Sequence, residues 1–165
     1  MKTLRLFAAL LLTAALAAPA FAQTPVTNAQ FSAAVERPAG WVDAPGNDRA
    51  AFNFRHEESS SQIEVIATQL LTAEVAEIFF DTFHESLRSA NFAQLAQADA
   101  SVGERDGLQT TYGFEHAGIS LNVTIFQFVI GNTAWVVVSY AQQDLADSFR
   151  NDFESVVSSL RLTNN

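Results

Sequence analysis

The sequence predicts an α+β domain in which an antiparallel β-sheet is flanked by helices, in the order βββ-α-ββββ-α. Three observations carry this prediction. Apolar residues recur at steps of two through three early segments and four later ones. Two segments, one between these groups and one after them, switch to steps of three and four. Short Gly-, Asn- and Asp-bearing turn signals divide the later half into hairpins. Runs of strands followed by a helix, twice over, indicate a layered α+β domain.

Each element follows from its residues. Phe31 to Arg37 reads as the first strand, ended by Pro38-Ala39-Gly40 and followed by Trp41. After the turn formers Asp43 to Asp48, Ala50 to His56 alternates: Phe52, Phe54 and His56 share one face, Asn53 and Arg55 the other. A polar connection, Glu57 to Ser61, leads into Gln62 to Thr68, where Ile63, Val65 and Ala67 oppose Glu64, Ile66 and Thr68. Helical spacing begins at Ala73. Ala76, Phe79, Phe80, Phe83, Leu87 and Ala90 form an apolar stripe, with Glu74, Glu77, Asp81 and Glu85 on the other side. Thr72 is placed to cap this helix.

Four strands are then expected at about 93–101, 108–116, 119–130 and 133–141, separated by Val102 to Gly107, His116-Ala117-Gly118 and Gly131-Asn132. The last, around Trp135 to Tyr140, is apolar on both faces and so predicts a central strand covered on two sides. Asp144 is placed to cap a closing helix with Leu145, Phe149, Phe153, Val156, Val157 and Leu160 as its stripe. Within the third of the four strands, one face begins polar at Ser120, Asn122 and Thr124 and turns apolar at Phe126, Phe128 and Ile130. That apolar half needs cover. A helix lying over it is the favoured reading; the alternative is a groove lined by Phe126, Phe128 and Ile130 for an apolar ligand or a partner's segment.

The chain has 165 residues, and its start reads as a signal for export. Lys2 and Arg5 precede an apolar run that ends in Ala20-Phe21-Ala22, the pattern of a secretory signal peptide over 1–22. Cleavage after Ala22 leaves 143 residues, with 23–30 expected as a flexible leader and 31–162 as one domain. Seven basic residues then face eighteen acidic ones, a net charge of −11. Such a surface repels phosphate backbones and anionic lipid, so no nucleic-acid partner is expected. The chain contains no cysteine. This excludes thiol catalysis, thiolate metal sites and a lipid-bearing cysteine. No second apolar run approaches the ~20 residues of a membrane span. The expected location is the periplasm or the medium, without an anchor.

Recognisable catalytic spacing is missing. His56, His84 and His116 form no His-Glu-x-x-His pair. Each has an acidic neighbour in sequence, but adjacent side chains point apart on a strand and do not face each other on a helix. Gly118-Ile119-Ser120-Leu121-Asn122 fails as a nucleophile elbow at its last position, and the seven glycines include no Gly-x-Gly. The acidic helix face converges poorly for a divalent cation, which needs several oxygens wrapped around it. Asn122-Val123-Thr124 matches a glycosylation acceptor but falls inside an expected strand. No catalytic, cofactor-binding or metal-binding residue is assigned.

The run Phe31 to Trp41, with its strand, Pro38, Ala39 and Gly40-Trp41, resembles the entry of PsbP-like and DcrB-like domains. The later pattern is also similar: a strand with paired Phe, an amphipathic helix, a long meander, and a closing helix ending Ser159-Leu160-Arg161. The resemblance covers roughly 31–162. It implies an α/β/α sandwich and a mostly noncatalytic role, as in accessory subunits of photosystem II, bacterial lipoproteins and chaperone-like partners of secreted effectors. The chain departs from the lipoprotein members by lacking cysteine, and no organellar transit peptide is recognised. The resulting expectation is an exported accessory or binding module with a protein partner and no cofactor. The alternatives are a small periplasmic hydrolase whose site forms only in three dimensions, around His84 or His116, and a divalent-cation-binding protein.

Overall fold

The computed structural model describes residues 23–46 and 49–163, and the side chain of His116 is not among the described groups. The expected signal peptide and the Asn47-Asp48 part of the first turn lie outside these residues.

The chain runs β1 (Thr24–Asn28), β2 (Ala33–Arg37), β3 (Trp41–Asp43), β4 (Ala50–His56), β5 (Gln62–Gln69), α1 (Ala76–Ser89), β6 (Ala93–Val102), β7 (Arg105–His116), β8 (Ile119–Ile130), β9 (Thr133–Gln142), α2 (Arg150–Ser159) and β10 (Arg161–Leu162). A seven-stranded sheet has the order β3-β4-β5-β9-β8-β7-β6, and a small sheet has the order β1-β2-β10. All described pairings are antiparallel. The α+β class and the flanking helices predicted from sequence are those observed. The expected ranges of the last four strands differ from the observed ones by at most three residues at any end.

β9 is the middle strand, and each of its faces belongs to a different core. Trp135 and Val137 pack with Phe54, Ile63, Val65, Phe126 and Phe128 beneath Phe153, Val156, Val157 and Leu160 of α2 and its end. Ala134, Val136 and Val138 pack with Ile125 and Val123 against Ala76, Phe80 and Leu87 of α1. Antiparallel strands covered on both faces lose the usual apolar-polar alternation, which is why β9 reads as a continuous apolar run. After β5, the chain crosses the sheet as α1 and restarts at the far edge with β6. The meander then returns, so β9 pairs with β5 (Val65↔Val137) across a long sequence separation.

Three expectations and one alternative reading are corrected. The leader expected at 23–30 contains β1, paired with β2 from Thr24↔Arg37 to Asn28↔Ala33 and tied to β4 by Asn28 Nδ2 donating to Ala51 O at 2.7 Å. Pro25 is tolerated because β1 is an edge strand, where a missing N–H need not break a ladder. Thr72 makes no side-chain cap; a 3₁₀ turn (Ala73–Val75) intervenes before α1, and the Thr72 hydroxyl holds the Glu74 carboxylate below its ordinary pKa. Asp144 does not cap α2, which begins six residues later with Phe149 at its N-cap position. The groove lined by Phe126, Phe128 and Ile130 is not open. Phe126 is 0% and Phe128 5% exposed under α2, with Ile130 half-buried against the same core.

α2 is held at both ends. Trp41 Nε1 donates to Asp152 Oδ2 at 2.9 Å near its start, and Arg105 Nε donates to Val157 O at 3.0 Å near its finish. These ties fix its path over the sheet and leave one corner of that face, on β7 and β8, without apolar cover. Among the described residues no helix is long and apolar enough to cross a membrane.

Candidate functional site

The uncovered corner is a polar concavity of about 170 Å³ between the sheet and the first turns of α2. Its floor is built from three neighbouring strands: Gln109 and Thr111 of β7, Asn122 and Thr124 of β8, and Ser139 of β9. The register explains the convergence. Thr124 pairs with Thr111 on one side and with Ser139 on the other, so the three hydroxyls lie in one row across the sheet. Gln109 sits opposite Phe126, on the same face, where the polar row meets the apolar core. One wall is apolar, from Phe149, Phe153 and Ala146; the rim carries Asp147, Arg150 and Glu154.

None of the five floor side chains hydrogen-bonds another described group of the protein, although Ser139 is only 7% exposed. None of their polar atoms is among the fully buried side-chain atoms without a partner, so these groups face the open space of the concavity. A row of unpartnered hydroxyls and carboxamides in a concavity is therefore suited to meeting a polar guest. The rim is electrostatically balanced towards acid. Arg150 Nη2 lies 2.5 Å from Asp147 Oδ1, and Glu154 is exposed.

The sequence pointed to two of the five floor residues. Asn122 and Thr124 stood out as the polar start of a strand face that turns apolar. Gln109, Thr111 and Ser139 were missed. Ser139 did leave a signal, because it interrupts the face shared by Trp135, Val137 and Ala141.

His84 lies on the other side of the sheet, 5% exposed beneath α1. Its Nδ1 is 2.8 Å from the Tyr112 hydroxyl and its Nε2 2.5 Å from Gln127 Oε1. Gln127 Oε1 accepts, so Nε2 carries the proton and Nδ1 accepts from Tyr112. Neither partner is a carboxylate or a Ser/Thr hydroxyl, so the orienter–base–nucleophile arrangement of a hydrolase is not assembled here. Burial raises the Tyr112 pKa, keeping that hydroxyl a proton donor. His56 packs between rings, 5.3 Å from Trp41 and 4.7 Å from Phe149, and its buried Nδ1 has no partner among the described residues. Glu74 in the 3₁₀ turn and Glu77, Asp81 and Glu85 along α1 all remain exposed, with Glu85 bonded to Arg88 at 3.0 Å.

No sequence-family model and no curated protein matches the chain. Solved structures do match its fold. Cyanobacterial PsbP from Synechocystis is similar over 86% of this chain and 93% of its own, with 12% identity and a TM-score of 0.57. LpqN of Mycobacterium tuberculosis, described as involved in cell envelope biogenesis, is similar over 87% and 91%, with 14% identity and a TM-score of 0.58. The Ran-binding protein Mog1p of Saccharomyces cerevisiae is similar over 87% and 97%, with 9% identity and a TM-score of 0.58. The chain also spans 46% of the length of a Bacteroides thetaiotaomicron protein, at 13% identity and a TM-score of 0.58. With helices on both faces of an antiparallel sheet and similarity to these structures over more than four-fifths of its length, the chain has the PsbP-like fold.

Proposed function

We propose that this protein is an exported, noncatalytic binding or accessory module of the cell envelope that works with a protein partner. The observation that carries this reading is the contrast between its two polar clusters. His84 is committed to Tyr112 and Gln127 inside packing, whereas the open concavity offers hydroxyls and amides without a nucleophile–base pair. That is the chemistry of holding rather than of turnover. The envelope role described for LpqN and the Ran binding described for Mog1p support the same class of function. The basic, apolar and Ala-x-Ala segments at 1–22 support export with cleavage after Ala22.

Expression of the full chain in a Gram-negative cell, followed by fractionation and N-terminal sequencing, tests the location. The expected product is released with the periplasmic contents and begins at Gln23. Retention in the inner membrane with Met1 intact overturns that part. Hydrolytic turnover of ester, phosphate or glycoside reporters that disappears in His84→Ala overturns the noncatalytic part.

A further inference from the structure

The polar concavity has chemistry that selects among ligand classes. Apolar guests are disfavoured, because five floor side chains present hydroxyls or carboxamides that would lose water without gaining a partner. Anions are disfavoured too: Arg150 is already paired with Asp147, and Glu154 adds a further negative charge at the rim. A hard divalent cation would need six or more oxygens around it, and among the described residues the only carboxylates lining the concavity, Asp147 and Glu154, stand at the rim. What remains is a neutral guest that both donates and accepts hydrogen bonds at several adjacent points. Ser and Thr hydroxyls and the Asn and Gln carboxamides do both themselves, so they match a run of neighbouring hydroxyl groups. The apolar wall of Phe149, Phe153 and Ala146 suits the C–H face of a ring. At about 170 Å³ the space is well below the ~300–1,000 Å³ of drug-sized pockets.

We infer that this concavity is a binding site for a neutral polyhydroxylated ligand of one pyranose ring, held by Asn122, Thr124, Ser139, Thr111 and Gln109. The strongest single observation for it is that five adjacent polar side chains facing one concavity, Ser139 among them, make no hydrogen bond to another described group. The inference rests on the reading of the protein as a binding module and gives that reading a ligand class.

The test is titration of the isotope-labelled mature chain with glucose, galactose and N-acetylglucosamine, each alone, and with inorganic phosphate as the anion, followed by amide NMR. At least one sugar is expected to give saturable shifts centred on residues 109–111, 122–124 and 139, with phosphate giving none there. Thr124→Val with Ser139→Ala removes two hydroxyls while preserving shape, and should weaken that sugar about tenfold or more. Gln109→Ala, at a less buried position, is the second variant should the first fail to give a native spectrum, and should also weaken it. No saturable shift with any of the three sugars, equal or stronger response to phosphate, or unchanged affinity in the folded variants overturns the inference. Failure here leaves the noncatalytic reading standing. A sugar that binds and is then consumed overturns the noncatalytic reading while leaving the site in place.

Discussion

Phe128→Ala measures whether the apolar half of the β8 face is core or groove. The ring is 5% exposed, 5.5 Å from the Phe126 ring, and capped by the Arg105 guanidinium at 5.2 Å from its centroid. Removing it forfeits the transfer energy of a buried aromatic, about 1.5–3 kcal/mol. It also opens a cavity bounded by the β-sheet and α2, which are pinned by the Trp41–Asp152 and Arg105–Val157 bonds and collapse poorly. Loss of the cation–π contact adds about 0.5–1 kcal/mol. The expected total is about 3–5 kcal/mol, a large share of the stability of a domain this size. It should read out as a fall of roughly 10–15 °C in Tm. Urea unfolding followed by tryptophan fluorescence gives the free energy directly, because the buried Trp135 shares this core. A loss below about 1 kcal/mol with an unchanged m-value would refute the argument, since only a ring facing an open groove is so cheaply removed.

Three further outcomes follow from the same structure. Tyr112→Phe takes away the hydroxyl that His84 Nδ1 accepts from and should cost about 1–3 kcal/mol; a neutral effect in chemical denaturation means the network is not formed. Gly107→Ala places a Cβ 2.8 Å from Phe126 Cζ and against the Gln127 carbonyl oxygen, so about 1–3 kcal/mol of overpacking is expected, and an unchanged Tm would contradict the close β7–β8 contact. Burial, with a smaller contribution from Glu64, pushes the Tyr140 pKa up from 10.0 to about 12. Its neutral form is the one the fold favours, so this contribution to stability is fully present below pH 10 and is lost as pH rises towards 12. Ultraviolet titration should find a tyrosine ionising at about pH 12 in the wild type, and Tyr140→Phe should remove that step and leave only the ionisation of Tyr112. Ionisation of both tyrosines at the ordinary value overturns the assignment.

Local pattern determined much of this protein. The step-of-two runs placed β6 to β9 within a few residues, because side-chain alternation is a property of each strand alone and survives without knowing its neighbours. The two-sided apolar run at Trp135 to Tyr140 identified the central strand for the same reason. What the sequence could not determine was decided by pairing between distant segments. Val26 and Pro25 gave no strand signal, and β1 exists because β2 offers it an open edge. Asp144 lies on the turn that carries the chain from β9 to α2, so its capping chemistry goes unused. The same holds for the site. Asn122 and Thr124 were visible as a polar break on one strand, but Thr111 and Ser139 join them only through the β7–β8 and β8–β9 registers. A binding floor assembled from three strands depends on the relative alignment of those strands, a non-local quantity that forms only when the sheet is complete.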